Sequence, residues 1–139
     1  MAGEFSDAGA FKALDAVTGR ATVTSGTTYL ALLTAAPNDA TTLSGLAEYT
    51  ATGYSRQSVS WASPALNGSN LPETSNTADL TFGPFTAGTG ATITHCALVS
   101  AASGTTGDVF AWWSFDSSRT PATNDSLIVS TGNLKLAVD

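Results

Sequence analysis

Ser126-Leu127-Ile128-Val129-Ser130-Thr131-Gly132-Asn133-Leu134-Lys135-Leu136-Ala137-Val138-Asp139 is the stretch that decides the fold. Branched and apolar residues fill two short runs, and Thr131-Gly132-Asn133 parts them with turn chemistry. The pattern predicts a strand over 126–130, a turn, and a last strand that runs to Asp139. Upstream, β-rich runs alternate in the same way with Gly, Asn, Ser and Pro turns.

Strands are expected at 28–34, 54–61, 76–82, 91–100 and 109–115. The run Tyr29-Leu30-Ala31-Leu32-Leu33 is almost continuously apolar, which suits a central strand. Residues 54–61 alternate, as a half-buried strand does. Pro64, Asn67-Gly68, Asn70 and Pro72 make 63–74 the least regular stretch. Residues 5–18 read as a helix, because Phe5, Ala8, Phe11, Leu14 and Val17 recur every three positions. Ser6 or Asp7 suits its N-cap, and Gly19 suits a left-handed stop. So short a helix must dock on something. It is expected either as a lid on its own sandwich or as an arm onto a neighbouring subunit. The fold class is all-β: a two-sheet β-sandwich or jelly roll of about seven or eight strands with a short N-terminal helix. One domain covers 1–139.

Composition narrows the function. Charged residues make up 12% of the chain, about half the usual share. The net charge is -6, and Lys12, Arg20, Arg56, Arg119 and Lys135 are scattered. That argues against nucleic acid as a partner and against an anionic membrane. Few ions on the surface make it cheap to desolvate in an assembly. No stretch reaches transmembrane length. Met1-Ala2-Gly3-Glu4-Phe5-Ser6-Asp7 lacks the basic segment and apolar core of a signal peptide. Assembly into a particle is therefore expected over secretion. The single cysteine, Cys96, permits no intrachain disulfide and suits a chain made in a reducing cytoplasm.

Candidate chemistry is sparse. His95 is the only histidine and adjoins Cys96, but neighbouring strand residues point to opposite faces, which defeats a catalytic pair. No serine sits in a GxSxG elbow. Gly88-Thr89-Gly90 is a turn without the lysine of a phosphate loop. Asp79, Asp108, Asp116, Asp125 and Asp139 fall mostly at strand ends and turns. A calcium site would need Asp108, Asp116 or Asp125 to converge. Asn67-Gly68-Ser69 and Asn124-Asp125-Ser126 match a glycosylation pattern that matters only in a secretory pathway. No enzyme activity and no cofactor are expected. Trp112 and Trp113 should face opposite ways, one into the core and one toward a loop, helix, partner or ligand. An exposed aromatic, Trp61 or Trp112, is the basis for a carbohydrate-binding alternative.

The order of segments carries a resemblance. A helix precedes Tyr29-Leu30-Ala31-Leu32-Leu33-Thr34-Ala35-Ala36-Pro37. Gly53-Tyr54-Ser55-Arg56-Gln57-Ser58-Val59 and Asn76-Thr77-Ala78-Asp79-Leu80-Thr81-Phe82-Gly83-Pro84 follow. Thr92-Ile93-Thr94-His95-Cys96-Ala97-Leu98-Val99 and the terminal stretch complete the series. Over most of its length the chain resembles the small β-sandwich structural proteins of tailed bacteriophages, often labelled cement-like or tail-fibre-like. It departs from them at His95-Cys96 and in its longer segment around 63–74. The resemblance implies a virion component without enzyme activity.

The expected function is capsid decoration: binding the outer surface of the expanded lattice and stabilising it. The major capsid protein is the expected partner, with self-association, as a trimer at threefold positions. The alternative is a tail or fibre-associated protein that binds a host receptor or glycan. The expected contact residues are Phe5, Phe11, Leu66, Leu71 and one of Trp112 and Trp113.

Overall fold

The computed structural model describes residues 1–23 and 26–138. Ten strands, one α-helix and one 3-10 turn fall among them. β1 is Ala2–Phe5, α1 Asp7–Thr18, β2 Thr28–Leu33, β3 Gln57–Val59, β4 Ala65–Leu66 and β5 Pro72–Ser75. β6 is Leu80–Phe82, β7 Ile93–Val99, β8 Val109–Arg119, β9 Leu127–Val129 and β10 Lys135–Ala137. Eight strands form one sheet in the order β3-β2-β7-β8-β1-β10-β5-β4, and β6 and β9 form a second. The large sheet curls until the chain after β3 meets the end of β5, where Trp61 bridges Asn76. The result is the two-sheet sandwich expected from the sequence.

β1 is the hinge of the large sheet. Glu4 and Phe5 pair antiparallel with β8, while Ala2 and Gly3 pair parallel with β10. Residues 2–5 read poorly as a strand because Ala, Gly and Glu are weak strand formers. Their two neighbours impose the conformation. The expected helix over 5–18 therefore starts later, at Asp7, and Phe5 belongs to β1. Ser6 is the N-cap and Gly19 the stop, at φ 67°.

The irregular 63–74 stretch holds the β4–β5 hairpin. Pro72 opens β5, a position that asks no N–H of it. β8 runs four residues beyond the expected 109–115, ending at Arg119. Asp139, where the last strand was expected to end, lies outside the described residues.

Two apolar clusters flank the large sheet. Leu30, Leu32, Cys96, Ala111 and Trp113 point inward against Phe82, Phe85, Leu127 and Val129. Ala31, Leu33, Ala97, Val99 and Val109 point outward and pack on Leu43. Leu43 sits in the 3-10 turn Leu43–Gly45. Tyr29-Leu30-Ala31-Leu32-Leu33 reads as continuously apolar because both faces of β2 are covered.

The sandwich bends where β5 passes into β6 and β9 into β10. Asn76 sits at that corner, 1% exposed. Its amide nitrogen donates to the Ala78 carbonyl at 2.9 Å and the Ser130 carbonyl at 3.1 Å. Its side-chain oxygen accepts from the Leu134 N–H at 2.9 Å. Its backbone N–H donates to the Leu134 carbonyl and its carbonyl accepts from Gly132. Asn76→Ala removes three hydrogen bonds, the one to Leu134 buried and those to Ala78 and Ser130 part-buried, each worth about 1 kcal/mol. We expect unfolding free energy to fall by about 3 kcal/mol in urea titrations. A loss under about 0.5 kcal/mol, as at ordinary surface positions, would remove this role.

Candidate functional site

α1 is held by its first turn. The Ser6 hydroxyl accepts from the Gly9 N–H at 3.1 Å and donates to the Val109 carbonyl. The Ser6 N–H donates to the Phe110 carbonyl at 2.9 Å. Gly9 is pressed against that same carbonyl, where a Cβ would collide. Lys12 pairs with Asp108 at 3.3 Å and lies over the Phe110 ring. With this side turned to the sheet, Phe11, Leu14 and Val17 point away, at 65%, 60% and 86% exposure. The apolar stripe does not lie on its own sandwich, so the lid reading fails for these three side chains.

A second feature is polar. Arg56 grips Glu48 through two bonds, from Nε at 2.8 Å and Nη2 at 2.7 Å. Its remaining donors reach the carbonyls of Ala101 and Gly104, each at 2.9 Å. The Arg56 side chain is 4% exposed and that of Glu48 22%, so the pair is partly desolvated and is supported by these extra bonds. Glu48 holds the Arg56 pKa above its ordinary value. Tyr54 donates to Glu48 at 2.7 Å and accepts from the Leu32 N–H. Burial, then the Glu48 carboxylate, push the Tyr54 phenol pKa far up, so it stays protonated. With every charge paired, this is scaffolding for the turn at 102–105. A shallow depression of about 660 Å³ lies beside it, lined by Tyr54 and by the hydroxyl residues Thr50, Thr52, Ser55, Ser103 and Thr105.

The tryptophans divide as expected. Trp113 is fully buried, stacked on Trp61, and its Nε1 donates to the Lys135 carbonyl at 2.8 Å. It has no surface to offer a partner, which removes it from the contact residues. Trp112 lies on the outer face, half-buried beside His95. Trp61 is half-buried too, its Nε1 donating to Thr28; neither is an open stacking platform. Phe5 is half-buried beneath α1, and Leu71 is half-buried in the hairpin turn. Leu66 is 65% exposed on β4. The structure does not bring Phe11, Leu66 and Trp112 to one element: they lie on α1, β4 and β8.

Cys96 is fully buried on the inner face. His95 is on the other, bonded to Thr94, so the two form no pair. Asp108 is engaged by Lys12, and Asp125 accepts from the Ala122 N–H. No group of three candidate metal ligands assembles among the described residues. Sequence reading missed the Glu48–Arg56 pair and the Asn76 corner. One signal was available: Arg56 stands mid-run in a chain with few charges, and a buried cation there requires a carboxylate.

A Glu48–Arg56 pair engaged in structure, inward aromatics and an outward apolar helix define a structural β-sandwich protein. Residues 4–137 match the family described as Podophage GP4 fiber I protein gp80, and the chain belongs to that family. No curated protein matches it. The protein is a structural component of a phage virion and not an enzyme. The fibre family also corrects the expected partner: the major capsid protein does not fit it.

Burial holds the His95 pKa below its ordinary 6.5. The unfolded chain then takes up a proton that the folded chain resists, so stability falls as pH drops through 6.5. We expect stability to decline as pH falls below about 7.5, and His95→Gln to flatten that part of the curve. An NMR titration placing His95 at or above 6.5 would contradict this.

Proposed function

We propose that this protein is a fibre-associated subunit of a tailed phage particle, seated through α1 on a neighbouring virion protein. One observation carries the seating: Phe11, Leu14 and Val17 face solvent on a helix whose other side is already bonded to its own sheet. Monomeric proteins rarely leave large apolar side chains in one contiguous row without a partner. The family supports the fibre as the place. Leu66, on the unpaired edge of β4, is a second apolar contact in this reading.

A role in meeting the host is the second reading, and the depression beside Tyr54 favours it. Its wall of five Ser and Thr side chains and two tyrosines suits a sugar, which presents hydroxyls and one apolar face. Glycan-array binding that is lost in Ser55→Tyr, which fills the depression, would support it. Absence of binding to host-surface glycans would remove it.

The double variant Phe11→Ser, Val17→Ser should fold as the parent does, since exposed substitutions shift stability by about 0.5 kcal/mol or less. Quantitative mass spectrometry of purified particles should show it depleted about tenfold, equivalent to about 1.4 kcal/mol of lost contact. Undiminished incorporation would overturn α1 as the seat.

A further inference from the structure

β1 lies in a slot between β8 and β10, and that slot does not stop where β1 does. Continuing the register backward sets Met1 opposite Phe115 on β8 and beside Leu134, and the Met1 carbonyl accepts from the Lys135 N–H. Past Met1 the two walls separate into a cleft of about 230 Å³. One wall is the bulged part of β8. His95 pairs with Ser114 and Ile93 with Arg119, so four residues of β8 oppose one of β7. The other wall is β9.

Among the described residues β9 has a single neighbour, β6, and its second edge is unpaired. Successive residues of an antiparallel strand direct their N–H and C=O groups to alternate sides. At least one residue among Leu127, Ile128 and Val129 therefore offers both groups to the cleft. A second cleft, of about 180 Å³, prolongs the first and shares Arg119, Leu127 and Ile128 with it. Ile128 adds a 57% exposed apolar side chain, and Arg119 makes no ion pair among the described residues. An open strand edge beside a groove asks for extended backbone, which supplies alternating donors and acceptors along the strand.

We propose that this cleft is a strand acceptor: an extended segment of another protein chain enters in line with β1 and adds to the edge of β9. Ladder bonds to β9 hold the segment, and its side chains alternate between the groove and solvent. The acceptor follows from the fold alone; its filling by another virion protein rests on the fibre reading.

Two experiments separate these parts. In the first, the protein is extended ahead of Met1 with Thr-Val-Thr-Val-Thr, with Gly-Ser-Gly-Ser-Gly or Thr-Pro-Thr-Pro-Thr as controls. The first extension should slow amide exchange within Leu127–Val129 about tenfold or more and raise Tm. The control extensions should do neither, since one forms strands poorly and the other lacks an N–H at every second residue and resists strand geometry. Equal exchange in all three would overturn the acceptor, whatever the protein's place in the virion. In the second, a benzophenone side chain at position 128 is photo-activated in purified particles. Linkage to a segment of a different virion protein is the expected result. Linkage confined to the same chain, or none, would overturn filling by another chain while leaving the first result standing.

Discussion

A single carboxamide holds the two sheets of this protein at their angle. At Asn76 both members of a strand pair must bend at once, and bending breaks the ladder that would satisfy their backbones. A buried polar backbone group without a partner is costly. Asn76 supplies two donors and an acceptor at that point, and binds both members of the pair. Exposed residues flank the corner, but Asn76 itself and Leu134 are buried. An aspartate would lack the donors for Ala78 and Ser130, and a leucine would lack everything but volume.

Glu48 and Arg56 do for the opposite end what Asn76 does for the corner. The chain carries only 5 basic residues, and this one is spent on holding two loops together. Residues 47–49 lie along the end of β2, through Thr34 N–H to Ala47 and Tyr49 N–H to Leu32. Arg56 then ties that segment to the turn at 101–104. The outer cluster beneath Leu43 is thereby kept closed. Much of the chemical reactivity present in the sequence is absorbed this way, in structure. That is why a search for acid–base or metal chemistry meets residues already engaged.

The legible parts of the sequence were those where one face or both faces of a strand are buried. β2, β7 and the start of β8 announced themselves through apolar runs, and the opposed roles of Trp112 and Trp113 followed from strand alternation alone. The illegible parts were strands made by their neighbours. Ala2–Phe5 has no β-forming pattern and becomes a strand only because β8 and β10 leave a gap of its width. Pro72–Ser75 hid behind turn residues. Of the residues expected at a contact, Phe11 and Leu66 lie exposed, on α1 and β4. The helix showed its stripe in the sequence, but not which way the stripe faced. Its direction is set by Ser6 and Gly9, two small residues whose contacts are about a hundred positions away in sequence.

The position of β1 has a consequence for how the chain is made. Its partners come from residues 109–119 and 135–137, so the first strand synthesised pairs with two of the last. Contacts of such sequence separation form slowly, because loop-closure entropy must be met before the pairing returns anything. Residues 2–5 therefore lack one of their two partners until β10 is available. During that interval both open edges of the slot are available to any chain nearby. Host chaperones would meet an unfinished sheet rather than a folded domain with a loose end.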